Sequence, residues 1–152
     1  MSGALSNRLG PREVYRSPYM VLRYDQARRL LVLTRLSEHY PSIEVLRAAF
    51  GQMETDTAHI WRQKTLLLID ARRSPARNDA VFESEFDRLR KHFLRDWQKV
   101  ASIVQSAIGV LQVARHMRKD ELPIGVFTDV SEALAYLGVS MPAEFVDLPE
   151  GT

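Results

Sequence analysis

The chain has 152 residues, 45% hydrophobic and 26% charged, a balance that fits one globular domain with one core. Its 21 Lys and Arg nearly offset 19 Asp and Glu, leaving a net charge of +2, so binding to nucleic acid through bulk charge is not implied. Cysteine is absent, which excludes disulfides, thiol nucleophiles and Cys-ligated metals and fits a reducing cytoplasm. No apolar run approaches the roughly 20 residues of a bilayer span. Met1 to Asn7 lacks the charged start and long apolar core of a signal peptide. The expectation is a cytoplasmic protein with no integral membrane segment.

Residues 1–18 carry Gly3, Gly10, Pro11 and Pro18 among Arg8, Arg12 and Arg16 without a period, and read as a flexible arm. Tyr19 to Tyr24 and Arg29 to Arg35 read as two strands, joined by the short polar run Asp25 to Arg28 in a hairpin. Ser42 then caps a helix whose apolar stripe is Ile43, Leu46, Ala49, Phe50 and Met53, with Gly51 weakening its later turns.

Lys64 to Ala71 is apolar on both faces of a strand, the pattern of a central rather than an edge position. Asn78 or Asp79 caps the next helix, with Val81, Phe82, Phe86, Leu89 and Phe93 as its buried face. Its acids come early and its bases late, which complements the helix dipole. A strand over Trp97 to Gln105 follows, and then a helix begun by Ser106 with Leu111, Val113, Ala114 and Met117 as apolar positions. Pro123 to Phe127 is a short last strand, with Pro at its permitted first position. Asp129-Val130-Ser131-Glu132 has the spacing of a capping box, and Gly138 is placed to end the helix. Beyond it, Pro142 and Pro149 flank Phe145, Val146 and Leu148 in what reads as an irregular strap across the body. The sum is an α/β domain over residues 19–138 with a mixed sheet of about five strands and about four helices, followed by a tail over 139–152.

This order resembles the anti-sigma-factor-antagonist (STAS-like) fold, and within it the SpoIIAA-like branch. The paired strands Met20 to Tyr24 and Leu30 to Leu36, the central Leu66-Leu67-Leu68-Ile69-Asp70, and the closing run Val126 to Leu137 carry the resemblance. In that last run a strand ends in Phe127, and an acidic cap leads into Glu132-Ala133-Leu134-Ala135-Tyr136-Leu137; Tyr136 stands where the branch often has Trp. The resemblance implies a non-enzymatic module that binds a partner protein, a nucleotide or other small molecule, or a lipid-like ligand. Antagonists of this family are switched by phosphorylation in an Asp-Ser-Ser/Thr-Gly motif. Here Asp70 is followed by Ala71-Arg72-Arg73-Ser74-Pro75, so the Asp matches, the Ser-Ser-Gly element does not, and no phosphosite transfers to Ser74.

Ligand sites in open α/β sheets lie outside the carboxyl ends of the central strands. This points to Asp70, Arg72, Arg73, Ser74 and Arg77 as the ligand- or partner-binding surface. Two readings stay open there. A helix start with guanidinium groups can hold a phosphate or carboxylate in a two-point grip. Alternatively, the arginines pair with Asp70, Asp79 or Glu83 in a solvated loop. The leading expectation is a non-catalytic module that recognises a protein partner or small ligand at this surface; the alternative is a carrier of an acidic or lipid-like molecule in a pocket near the basic turn, and a small enzyme ranks behind both. His39, His59, His92 and His116 have no metal-ligand spacing, and no nucleophile elbow, P-loop or dinucleotide fingerprint is present. No catalytic residue, metal or cofactor is therefore expected. Trp61, Trp97, Tyr40 and Tyr136 are expected to serve packing, and exposed strand edges leave room for a homodimer.

Overall fold

The computed structural model describes residues 10–75, 79–120 and 123–149. Six strands form one sheet in chain order: β1 Arg12–Arg16, β2 Met20–Asp25, β3 Leu30–Arg35, β4 Leu66–Asp70, β5 Lys99–Ile103 and β6 Ile124–Phe127. The first three are antiparallel and the last four run parallel. Helices α1 Ile43–Asp56, α2 Ala80–Phe93 and α3 Ala107–Asp120 connect the parallel strands, and α4 Val130–Leu137 follows β6. This mixed α/β architecture is the one expected, with one strand more. No helix among the described residues is long and apolar enough to cross a membrane.

The extra strand is β1, in the stretch that reads as part of a flexible arm. It pairs with β2 around a bulge between Glu13 and Tyr15. Tyr15 is buried, and its hydroxyl donates to the Ala49 carbonyl on α1 at 3.2 Å. A five-residue segment with three charged residues shows no apolar alternation, so its strand character comes from its partners.

β4 sits in the interior of the sheet, with β3 on one side and β5 on the other. Its alternate side chains feed two cores. Leu67 packs with Leu22, Leu31 and Leu33 under α1 and α2, where Leu46, Phe50, Met53, Phe82 and Phe93 are buried. Leu68 packs on the other face with Leu30, Val32, Ala101 and Ile103 against Ala133, Leu134 and Leu137 of α4 and against Val146. An apolar run on both faces of one strand thus produces three layers.

The caps fall where the residues predict them. Ser42 Oγ accepts from Val45 N at 3.2 Å, and Asp79 accepts from Val81 N and Phe82 N. Asp129 accepts from Glu132 N at 3.0 Å, and Gly138 closes α4 with φ of 77°. Val81 departs from expectation: it is 68% exposed, because the inward stripe of α2 runs through Phe82, Phe86, Leu89 and Phe93, and Val81 precedes it by one position. Leu111 of α3 is also exposed, at 66%, and the side chains of Val113 and Met117 lie outside the described set. Trp97 precedes β5 rather than opening it, and its indole N–H donates to the Phe93 carbonyl at 2.7 Å. Tyr40 is buried as packing, whereas Trp61 is 64% exposed.

Candidate functional site

β4 delivers Asp70 to its carboxyl end, opposite Thr34 of β3 and Ile103 of β5. Asp70 is buried, and its carboxylate is fully engaged by one neighbour: Oδ1 accepts from Arg72 N at 3.2 Å and Nε at 2.9 Å, and Oδ2 accepts from Nη2 at 2.8 Å. Arg72 Nη2 also meets Asp147 Oδ1 at 2.9 Å. The hydrogen bond to Asp70, followed by that to Asp147, raises the Arg72 pKa well above its ordinary value against the opposing effect of burial. The two-point grip expected of a guanidinium is made here, with the chain's own carboxylates as the anions.

The helix start is committed in the same way. The free amides of the first turn of α2 point at the Asp79 carboxylate, which fills the position an anionic ligand would take. Arg73 and Ser74 remain on the outside of the turn, both exposed, with Ser74 N bonded to the Ala71 carbonyl at 3.1 Å. The structure therefore joins Asp70 and Arg72 into one unit and holds Arg73 and Ser74 on its rim. Arg77 lies outside the described residues, as does Asn78.

Three residues that sequence reasoning did not select complete this end of the sheet. Arg23 of β2 lies opposite Val32, on the face that carries Leu68 and Asp70. It is 6% exposed, and its guanidinium donates to the carbonyls of Phe145 at 3.0 Å, Asp147 at 3.4 Å and Val146. Burial lowers its pKa, and the charges of Asp70 and Asp147 oppose that shift. Thr34 shares the face and is also buried. Arg23 Nε and Thr34 Oγ1 have no hydrogen-bond partner among the described residues. Asp147 ends a 3-10 turn over Ala143–Val146, the strap anticipated after Gly138. A signal for Arg23 was present: in an apolar strand it stands two residues from Val21, so it shares that side chain's buried face.

The carboxylates of Asp70 and Asp147 stand on either side of the Arg72 guanidinium, at 2.8 and 2.9 Å from Nη2. A pocket of about 450 Å³ lies at the opposite end of the sheet, beside the β2–β3 turn, lined by Gly10, Arg12, Val14, Tyr24 and Gln26 among others. His39, His59 and His92 are exposed, and no group of three potential metal ligands occurs among the described residues.

No protein-family model matches the chain, and no curated protein does. A solved structure does: an uncharacterised protein of the DUF3478 family with a SpoIIAA-like fold, from Shewanella loihica PV-4. It is 17% identical and superposes with a TM-score of 0.56 over 78% of this chain and 91% of its own. The likeness shows that the present chain has a SpoIIAA-like fold.

Proposed function

We propose that this domain is a non-catalytic STAS-like recognition module that binds a partner protein at the carboxyl end of β4 and the start of α2. The observation that carries this reading is the Asp70–Arg72 lock. A bidentate bond from a half-buried arginine to a buried carboxylate fixes the turn and takes Arg72 out of contention for a free anion. Arg73 and Ser74 are then presented next to a fixed Arg72, and Val81, 68% exposed in the first turn of α2, adds an exposed apolar group. An exposed cation and an exposed aliphatic suit a protein surface with a complementary acid more than a small molecule that needs enclosure.

The test is a quantitative comparison of proteins retained from host lysate by the wild-type chain and by Arg73→Glu and Val81→Asp, with matched thermal melts. The expected result is a protein retained by wild type and lost from both variants. Equal retention by all three chains would refute the reading. A retained small-molecule mass in native mass spectrometry would favour the carrier of an acidic or lipid-like molecule instead.

A further inference from the structure

The segment Pro142 to Asp147 is held by the kinds of contact that domains use to hold foreign peptides. Arg23 reads its backbone through the carbonyls of Phe145, Val146 and Asp147. Val146 is the apolar anchor, with 0% exposure in the core beneath α4. Asp147 supplies an acid to Arg72 at 2.9 Å. The segment's own amides bond internally, Phe145 N to Pro142 O at 3.0 Å and Asp147 N to Glu144 O at 3.1 Å. Its polar attachment to the body therefore runs through arginine side chains and not through a strand ladder, and just before the segment Arg28 Nε donates to the Ser140 carbonyl at 3.2 Å.

We propose that the surface under this segment is a peptide-binding groove filled in cis, and that a peptide with a bulky apolar residue followed by an acidic one, able to adopt the same tight turn, takes the segment's place. The floor needs no rearrangement, because Arg23 and Thr34 stand on strands of the sheet. The present occupant also leaves donors unused: buried Arg23 Nε and Thr34 Oγ1, on the same face, have no partner among the described residues. A buried polar atom left unpaired is costly, so a ligand that reaches these two atoms gains on the segment it displaces. The groove is independent of the partner reading above. Arg73→Glu, which abolishes that reading's contact, is expected to bind peptide as the wild type does.

The probe is a fluorescein-labelled peptide of residues 140–149, titrated by anisotropy into the full wild-type chain and into Asp147→Lys. The expected result is saturable binding, about tenfold tighter to Asp147→Lys because its own segment competes less. A probe carrying Val146→Asp is expected to lose that binding. Absence of saturable binding to folded Asp147→Lys up to about 1 mM would overturn the proposal, as would equal affinity for both chains. Hydrogen exchange of the wild-type chain gives a second readout that needs no variant. The amides of Phe145 and Asp147 should exchange through a local opening, faster than those of β3 and β4. Exchange of both only by global unfolding would mean that the segment never leaves, and the proposal falls. A concentration-dependent dimer lost in Asp147→Lys would make the occupant the segment of a second copy and overturn a foreign peptide.

Discussion

Replacing Arg23 by Ala should weaken the whole domain, although no apolar core residue is touched. The guanidinium bonds three main-chain carbonyls more than a hundred residues away, those of Phe145 at 3.0 Å, Asp147 at 3.4 Å and Val146. Stranding a buried acceptor costs about 1–3 kcal/mol, which applies in full to the Val146 carbonyl and in part to those of Phe145 and Asp147, whose bonds are half-buried. Against this, the variant relieves a desolvated cation whose Nε has no partner. A net loss of about 2–4 kcal/mol follows, or a fall in Tm of about 5–15 °C for a domain of this size. Urea unfolding followed by circular dichroism measures it. Arg23→Met separates the effects, because it keeps the apolar stem and removes only the donors, so it should recover no more than about 1 kcal/mol relative to Ala. If Arg23→Met unfolds at the wild-type midpoint or above it, desolvation of the guanidinium outweighs its bonds, and the segment is fastened without them, by Val146 in the core and by Asp147 on Arg72.

A double-mutant cycle on Arg72→Ala and Asp147→Ala should give a coupling of only about 0.2–1 kcal/mol, since the two side chains are 34% and 59% exposed. A coupling well above that would show a dry contact that the exposures do not predict. Gly138→Ala should cost about 1–2 kcal/mol through backbone strain alone, because φ is 77° and no atom lies within 4 Å of the added Cβ; an unchanged melting temperature would refute this. Burial raises the Tyr40 phenol above its ordinary pKa, with the Arg35 charge opposing. The folded state thus keeps the proton after the unfolded chain begins to lose it. Stability is complete below pH about 10 and declines as pH rises beyond it, and Tyr40→Phe should flatten that decline in alkaline denaturation curves. Glu85 is held down to about 2, first by its hydrogen bonds with Arg88 and then with Arg47. Its carboxyl should titrate by NMR near that value and return toward the ordinary range in Arg88→Ala; an unmoved midpoint would show that Arg88 is not the main cause.

The elements legible in the sequence are those whose cause is local. Ser42, Asp79, Asp129 and Gly138 act on amides or carbonyls within a turn of themselves, and each stands where its residue type predicts. β4 could be placed as central because both of its faces are apolar. β1 had no such pattern, and its pairing with β2 and the reach of Tyr15 to Ala49 are tertiary. Val81 fits an apolar count but not the angle of the stripe, and an angle is settled only when the helix has a sheet to face. At the site, the pairing of Arg72 with Asp70 was one of the two readings open from the sequence, being two residues apart. Asp147 and Arg23 were not selected, because the chain between each and its partner spans 75 and more than 120 residues.

The strands of this sheet are laid down in the order in which they are translated, each beside the one made just before it. A nascent chain can therefore add β2 to β1, β3 to β2 and so on as it emerges, with little waiting. The contacts of Arg23 break that rule. Their acceptors are separated from it by 122 to 124 positions, so the cation enters the sheet when β2 pairs with β1 and β3 and stays without those carbonyls until residues 145–147 have left the ribosome. A contact spanning that much chain closes only after every strand of the sheet has been made, and until then the Arg23 guanidinium lacks the carbonyl acceptors that fasten it.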